Sequence, residues 1–236
     1  MNTSKSTVVL VHGAWHGSWC WQRVISLLEK RGIATLAVDL PSVGAAPGSG
    51  TDLSADAAQV ESILQGVSGP VLLCGHSYGG MVISRVTAKN VVRLVYVCAF
   101  MPLEGQSLVD AGGGKPAPWI QLLDGGLMQP DPARSVELFY GDCDPQVQEW
   151  ARARIRPQSS ATMMEPVAHP SWRNVPSTYV VCTQDAIMPV DVQRNVFGRN
   201  ASEVVELQAS HSPFLSQPQA LADLLAVRAG AAPIGP

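Results

Sequence analysis

The chain has 236 residues, of which 46% are apolar and 15% charged, and its formal net charge is −3 at pH 7. This length and composition predict one well-packed domain and exclude a disordered protein. Because the net charge is slightly acidic and no Lys/Arg cluster is present, we expect no nucleic-acid partner. The apolar runs are only as long as a strand, so we expect neither a membrane span nor a secretion signal.

The first third of the chain alternates strand and helix patterns. A β-branched run at 7–11 is typical of a strand buried on both faces of a parallel sheet. Ser18 is the expected N-cap of a helix over 19–30, and Gly32 is expected to end it. A second strand over 33–38 is followed by a Gly/Pro/Ser-rich loop and a helix over 52–67.

The next apolar run, Val71 to Cys74, leads directly into the sequence GHSYGG. A helix pattern follows from Met81 to Lys89. Strand, tight turn and helix with the spacing G-x-S-x-G are typical of a nucleophile turn, which presents Ser77 at the edge of a sheet. The spacing alone also occurs in ordinary loops, so the flanking elements are what favour a catalytic serine.

A fourth, strongly apolar strand over 91–100 precedes a break in the alternation. Residues 102–172 hold many glycines and prolines between short helical pieces such as 145–155. We therefore predict a doubly wound, mainly parallel sheet formed by 1–101 and 173–236, with a helical cap insertion at 102–172 over the carboxyl edge of the strands. An insertion without a role in binding is the alternative.

The alternation resumes after the insertion. Strands are predicted over 177–183 and 203–207, and helices over 189–196 and 218–227, with a frayed tail at 229–236. Asp185 follows the first of these strands, and His211 follows the second. The chain order Ser77, Asp185, His211 is the order of a Ser–Asp–His triad in α/β-hydrolases.

Other residues could replace parts of this triad. Glu104 and Asp191 are alternative carboxylates to orient the histidine, and Asp185 could be an ordinary helix cap. The other four histidines lie in turns, in the first loop or before a proline, which favours His211 as the base. A tetrahedral intermediate also needs two backbone donors, and we expect the N–H groups of Tyr78 and Ala14, unless the loop at Ala14 is a plain glycine turn.

The five cysteines, at positions 20, 74, 98, 143 and 182, form no Cys-x-x-Cys pair. We expect buried free thiols and a cytoplasmic protein. We expect neither a metal site nor a cofactor.

The segments HGAWHGSWCW, DLPSVG, GHSYGGMV, VYVCAFMP, YVVCTQD and QASHSPFLSQP together resemble the α/β-hydrolase superfamily. The similarity runs from about Val8 to Leu225 and is closest to the group of esterases and hydroxynitrile lyases that includes plant methyl-ester hydrolases and small bacterial esterases. It implies a triad of Ser77, Asp185 and His211 with Ala14 and Tyr78 as oxyanion residues, below a cap over a mainly apolar pocket. Lyases of the group carry a threonine in the first loop and a lysine after the histidine, where this chain has Gly13 and Ser212, which disfavours cyanohydrin cleavage.

The expected activity is hydrolysis of a carboxylic ester of a small, largely apolar molecule through an acyl-enzyme. A lactone, thioester or amide substrate, a hydroxynitrile lyase and a receptor without turnover are the alternatives. Side chains that could line the pocket, or only pack in the core or cap, are Trp15, Trp119, Leu122, Phe139 and Trp150. A monomer or a homodimer is expected.

Overall fold

The fold is described from a computed structural model, which describes residues 6–230. A six-stranded sheet forms its centre, with the strand order β2-β1-β3-β4-β8-β9 and every neighbouring pair parallel. The strands of this sheet are β1 (Thr7–Val11), β2 (Thr35–Val38), β3 (Val71–His76), β4 (Val91–Val97), β8 (Ser177–Cys182) and β9 (Glu203–Leu207). This parallel sheet with helices is the predicted α/β-hydrolase fold.

Helices cover both faces of the sheet. The α-helices are α1 (Gln22–Glu29), α2 (Leu53–Gln65), α3 (Gly79–Arg85), α4 (Leu108–Ala111), α5 (Ser135–Tyr140), α6 (Pro145–Arg152), α7 (Val190–Val192), α8 (Pro213–Ser216) and α9 (Pro218–Arg228). Helix α1 packs against α9, and α2 packs against α3. The chain moves outward from β1 to β2 and then back across to β3, so right-handed connections place α1 and α2 on opposite faces.

This reversal of direction leaves a crevice between the carboxyl ends of β1 and β3. In doubly wound sheets, ligands bind at such a point. The strands that meet there are completely buried over most of their length, because helices lie on both faces. The fold therefore brings the loop that follows Val11 next to the turn that follows His76.

The segment between β4 and β8 was predicted to be helical, and this is wrong in part. It contains helices α4 to α6, but also a three-stranded antiparallel sheet with the order β5-β6-β7. Its strands are β5 (Ile120–Leu123), β6 (Leu127–Pro130) and β7 (Gln158–Ser159). The two glycines at 125 and 126, which suggest an irregular break in the sequence, form the turn of the β5–β6 hairpin.

Two local predictions are also corrected. Ser18 is not an N-cap, because Gly17 occupies that position before a 3-10 turn at Ser18–Trp21. The Ser18 hydroxyl donates instead to Asp39 at 2.9 Å. The helix predicted over 189–196 consists of α7 and a π-helical turn at Gln193–Phe197.

The boundaries 1–101, 102–172 and 173–236 between core and cap stay a prediction. Their outermost residues, and most of the predicted frayed tail at 229–236, lie outside the described residues. Within 6–230, no helix combines the length and the apolar character needed to cross a membrane.

Candidate active site

Ser77 lies at the apex of a strained turn between β3 and α3. Its φ of 50° is in the left-handed region, which is unfavourable for a residue with a side chain. Backbone hydrogen bonds hold it there, since its N–H donates to Val97 and its carbonyl accepts from Gly80 and Phe100 at 3.0 and 3.1 Å. The turn also needs a glycine at 79, where a Cβ would lie 2.7 Å from the carbonyl oxygens of β1 and the loop after it. Ser77 is therefore presented in one fixed conformation.

Asp185 and His211 are in direct contact, although 26 residues separate them in the chain. The His211 Nδ1–H donates to Asp185 Oδ2 at 2.7 Å, and both side chains are buried. The other carboxylate oxygen accepts the N–H groups of Ile187 and Met188 at 2.8 and 3.0 Å. Gln193 donates to Asp185 Oδ2 at 3.2 Å. Asp185 is thus fixed from several sides and in turn fixes the imidazole of His211.

The alternative carboxylates do not reach this histidine. Glu104 is half exposed and pairs with Arg173 at 3.0 Å and with His169 at 3.7 Å. Asp191 is exposed on α7. Asp185 is therefore the carboxylate that orients His211 in the structure.

The second nitrogen of His211, Nε2, is buried and has no hydrogen-bond partner in the described part of the chain. The ring of His211 lies 4.8 Å from that of His76, the residue directly before Ser77. The loop that bears His211 is held by Asp142, which accepts the N–H of Ser210 at 2.8 Å. An imidazole nitrogen with an open lone pair therefore lies beside the serine turn.

His76 supports His211 through the backbone. Its Nε2–H donates to the His211 carbonyl at 2.7 Å. Burial and the neighbouring His211 place the pKa of His76 well below the usual range, so this ring stays neutral. Sequence reasoning assigned His76 only to the turn, because nothing in the pattern GHSYGG reveals a contact with a residue 135 positions away.

The loop after β1 lies against Ser77. A Cβ on Gly13 would be 2.9 Å from the Ser77 Cβ and 2.6 Å from His76 Nδ1. Trp15 in this loop has a φ of 63°, again in the left-handed region. Within residues 6–230, no acceptor receives the N–H of Ala14 or of Tyr78, so both backbone donors are available to a ligand near Ser77.

Two buried histidines orient the peptide planes around Ala14. His12 Nδ1–H donates to the Gly13 carbonyl and His16 Nδ1–H to the Ala14 carbonyl, both at 2.8 Å. The Gly13 carbonyl and the Ala14 N–H belong to one rigid peptide unit and point in opposite directions. Burial lowers the pKa of His12 to about 4 and that of His16 to about 3, so both rings are neutral at pH 7.

A cavity of about 150 Å³ opens beside Ser77 and is lined mostly by apolar side chains. Trp15, Trp119 and Phe139 are among its lining residues, and their ring centroids lie 5.7 to 6.0 Å apart. Lys115 is the one charged residue among its lining residues in the described chain. The cavity suits a small apolar molecule.

Two of the residues predicted for this pocket lie elsewhere. Leu122 is on β5, an edge strand of the small sheet, and its side chain is 70% exposed. Trp150 is on α6 and packs edge-on against Trp19 at 5.2 Å, outside the cavity. Sequence alone does not give the direction in which the hairpin and α6 are turned, which is why both predictions are wrong.

His76, Cys98 and His211 are the one group of possible metal ligands within residues 6–230, with one donor atom of each within 4.8 Å of the others. Hydrogen bonds already engage one nitrogen of each ring. Burial raises the pKa of the Cys98 thiol well above its usual range and so disfavours the thiolate that binds metals. The group is better explained as packing behind His211.

A family model described as the alpha/beta hydrolase family matches residues 8–224. The carbendazim hydrolyzing esterase of Nocardioides sp. (strain SG-4G) is 32% identical over 244 residues, covering 92% of this chain and 97% of that protein. Methylesterase 2 of Arabidopsis thaliana is 30% identical over 264 residues, covering 94% and 96%. The crystal structure of a pyrethroid hydrolase from Sphingobium faniae JZ-2 superposes with a TM-score of 0.82 at 30% identity, covering 96% of this chain and 98% of that one.

Proposed function

The chain belongs to the alpha/beta hydrolase family, in its plant methylesterase-like group, and we propose that it hydrolyses a carboxylic ester through an acyl-enzyme on Ser77. The observation that carries this proposal is the buried His211–Asp185 pair, joined at 2.7 Å, whose remaining nitrogen is unpartnered and whose imidazole lies 4.8 Å from that of His76, the residue before the strained Ser77. Relatives named as esterases and hydrolases support the same class of reaction.

His211 acts as the general base in this proposal. A serine hydroxyl is a weak nucleophile at neutral pH, so His211 Nε2 takes its proton as the oxygen attacks the ester carbonyl. Asp185 holds Nδ1 protonated, which leaves Nε2 as the accepting nitrogen, and it stabilises the imidazolium that forms. The imidazolium then gives its proton to the leaving alcohol. A water molecule activated by the same histidine later releases the acid from Ser77.

The N–H groups of Ala14 and Tyr78 stabilise the oxyanion of each tetrahedral intermediate. Fixed donors of this kind work because they are already oriented where negative charge develops, in a site with little water. The support is that both N–H groups lack an acceptor within residues 6–230 and flank Ser77 from two sides.

The substrate is a small, largely apolar ester. Its support is the cavity beside Ser77, which is lined mostly by apolar residues, including Trp15, Trp119 and Phe139, and has Lys115 as its one charged lining residue in the described chain. We also propose a cytoplasmic location, because all five cysteines are buried free thiols.

The proposal is tested by Ser77→Ala with p-nitrophenyl esters of increasing acyl length, followed by methyl esters and lactones. We expect the variant to keep the circular dichroism spectrum of the wild type and to lose turnover of every ester, by about 10⁴-fold or more. Ser49→Ala, which changes an exposed serine, is the matched control and should have normal activity. Unchanged hydrolysis by Ser77→Ala would refute the proposal.

A fluorophosphonate probe separates the enzyme from a receptor of the same fold. We expect the probe to modify the wild-type protein at Ser77 and to leave Ser77→Ala unmodified. A properly folded wild-type protein that reacts with no fluorophosphonate and turns over no ester would instead be a ligand-binding protein.

A further inference from the structure

The carboxylate of Asp56 is completely buried on α2, and it accepts three hydrogen bonds. Oδ1 accepts the Ser42 N–H at 2.9 Å, and Oδ2 accepts the Ser42 hydroxyl and the Tyr78 hydroxyl, both at 2.6 Å. We infer that Asp56 is a positioning residue that orients both backbone donors of the oxyanion hole. This inference rests on the proposed function and adds to it a residue that does not touch the substrate.

The first connection runs from Asp56 to Tyr78. The side chain of Tyr78 is buried, and its hydroxyl is tied to Asp56. Burial, together with the neighbouring Asp56, raises the pKa of this phenol well above its usual range, so the phenol stays protonated and remains a donor. The N–H of the same residue is the donor that faces the reacting carbonyl. A fixed phenol at one end of Tyr78 therefore limits the movement of the N–H at the other end.

The second connection runs from Asp56 to the loop after β1. Trp15 N–H donates to Gln158 Oε1 at 3.2 Å, Gln158 Nε2–H donates to the Ser42 hydroxyl at 3.0 Å, and that hydroxyl donates to Asp56. All three donors point toward the carboxylate, and hydrogen bonds aligned in this way strengthen one another. Gln158 is fully buried, so water does not replace these contacts.

The Trp15 N–H matters because it belongs to the peptide unit that follows Ala14. His12 fixes the plane before Ala14, and His16 and Gln158 fix the plane after it. Trp15 has a φ of 63°, a conformation that persists only when its surroundings impose it. Without the contact to Gln158, the second plane loses one of its two anchors, and the loop that presents the Ala14 N–H to Ser77 is held less firmly.

A carboxylate is suited to this position because it accepts several donors at once, and bonds to an ionised acceptor are about twice as strong as neutral ones. None of the ion pairs within residues 6–230 includes Asp56, so its three donors are what compensate its burial. Its charge alone would oppose the negative oxyanion. If Asp56 acted only through its charge, it would slow the reaction, and replacing it with a neutral residue would raise the rate. If Asp56 positions the donors, replacing it lowers the rate.

The experiment compares Asp56→Asn with the wild type in hydrolysis of p-nitrophenyl acetate and in binding of two inhibitors. A trifluoromethyl ketone adds to Ser77 and places an oxyanion in the hole, whereas the corresponding methyl ketone binds without that addition. We expect kcat/KM to fall by about 10-fold to 100-fold, which is a smaller loss than complete removal of an oxyanion donor would cause. The affinity for the trifluoromethyl ketone should fall by the same factor, and that for the methyl ketone should change less than about twofold.

Single-connection variants keep the test decisive if Asp56→Asn does not fold. Tyr78→Phe cuts the first connection and Gln158→Leu the second, and each should cause a smaller fall than Asp56→Asn. Adding either change to Asp56→Asn should have little further effect, because the residues act through one network. Glu61→Gln removes a carboxylate from the same helix, where it accepts from Thr87, and should leave both activity and inhibitor binding unchanged.

Equal losses of affinity for both ketones would show that Asp56 only maintains the fold, and an unchanged or increased kcat/KM would also overturn the inference. Failure of the proposed function gives a different result, since Ser77→Ala would then retain hydrolysis. Loss of activity in Ser77→Ala together with wild-type behaviour in Asp56→Asn would contradict this inference alone.

Discussion

The two sides of Ser77 are built in different ways. On the acid–base side, Asp185 and His211 follow neighbouring strands of the central sheet and contact each other directly at 2.7 Å. On the donor side, the proposed oxyanion donors are the backbone N–H groups of Ala14 and Tyr78, and contacts from side chains distant in sequence surround them. Damage to the first side should therefore remove chemistry and preserve the fold, whereas damage to the second should affect both.

The largest effect is expected from Asp185→Asn, which breaks the acid–base side. An amide in place of the carboxylate no longer holds His211 with Nδ1 protonated, and the rate should fall by about 10⁴-fold. The pH dependence and rate of p-nitrophenyl acetate hydrolysis measure the loss, and circular dichroism should show an unchanged fold.

Glu104→Gln is the control for Asp185→Asn, because this carboxylate pairs with Arg173 away from His211. It should retain normal activity. A near-normal rate in Asp185→Asn together with a large loss in Glu104→Gln would transfer the orienting role to Glu104 and contradict the described geometry.

A second large effect is expected from Gly13→Ala, which breaks the donor side. The new Cβ would lie 2.6 Å from His76 Nδ1 and 2.9 Å from the Ser77 Cβ, so the loop must move away from the serine. Misplacing the Ala14 N–H should lower kcat/KM by about 100-fold. Overpacking should also lower the free energy of unfolding by about 1–3 kcal/mol, measured by chemical denaturation.

Gly66→Ala provides the comparison for Gly13→Ala. Its Cβ would lie 3.4 Å from the Ile63 carbonyl oxygen, an ordinary contact at the end of α2. The variant should match the wild type in rate and stability. Full activity in Gly13→Ala would mean that the loop after β1 is not packed on Ser77 as described.

Acid should destabilise the donor side through His12 and His16. Burial lowers the pKa of His12 to about 4 and that of His16 to about 3, whereas an unfolded histidine titrates near 6.5. Below pH 6.5 the unfolded chain therefore binds protons that the folded protein does not. The contribution of these residues to the free energy of unfolding is therefore fully present above pH 6.5 and is lost as the pH falls. For His12 the loss at pH 4 is about 3 kcal/mol.

Chemical denaturation between pH 7 and 4.5 measures this dependence, and His16→Gln should show a shallower decline of the unfolding free energy than the wild type. Burial raises the pKa of Asp56, which gives a contribution of opposite sign, but this residue is present in both proteins and its effect cancels in the difference. Equal slopes in the two proteins would contradict a neutral buried His16.

The smallest effect concerns the cavity, which adjoins both sides. Trp119→Ala should enlarge it and shift the preference among p-nitrophenyl esters toward longer acyl chains, by about tenfold in the ratio of kcat/KM values. Leu122→Ala changes an exposed side chain of the neighbouring hairpin and should leave the preference as it is. Equal shifts in both variants would show that the substrate binds elsewhere.

The contrast between the two sides also explains what the sequence predicts. The six strands of the central sheet follow from short apolar runs rich in β-branched residues, and the chain order Ser77, Asp185, His211 follows from the residue types in the loops after three of these strands. In the proposed mechanism each of these residues acts through its own side chain, so the residue type itself indicates the chemistry. The direct contact between His211 and Asp185 is therefore an expected feature of the fold.

The donor side gives little signal, because any residue can supply an N–H. The hydrogen bonds around these N–H groups join residues that are far apart in sequence, such as Gln158 and Trp15, and they depend on how the insertion folds. The hairpin at 120–130 and the positions of Leu122 and Trp150 were missed for the same reason. One clue is present in the sequence, since Asp56 is the charged residue on the apolar face of α2, among Leu53, Ala57, Val60 and Leu64.

In the proposed mechanism Ser77 carries the acyl group, and a substrate whose acyl-enzyme is hydrolysed slowly tests this most directly. Wild-type protein would be mixed with an aryl carbamate that releases p-nitrophenol, and the modified chain digested and analysed by mass spectrometry. We predict a burst of one p-nitrophenol per protein molecule and a carbamoyl group on Ser77 alone. Release of p-nitrophenol without modification of Ser77, or with the carbamoyl group on another residue, would contradict the account.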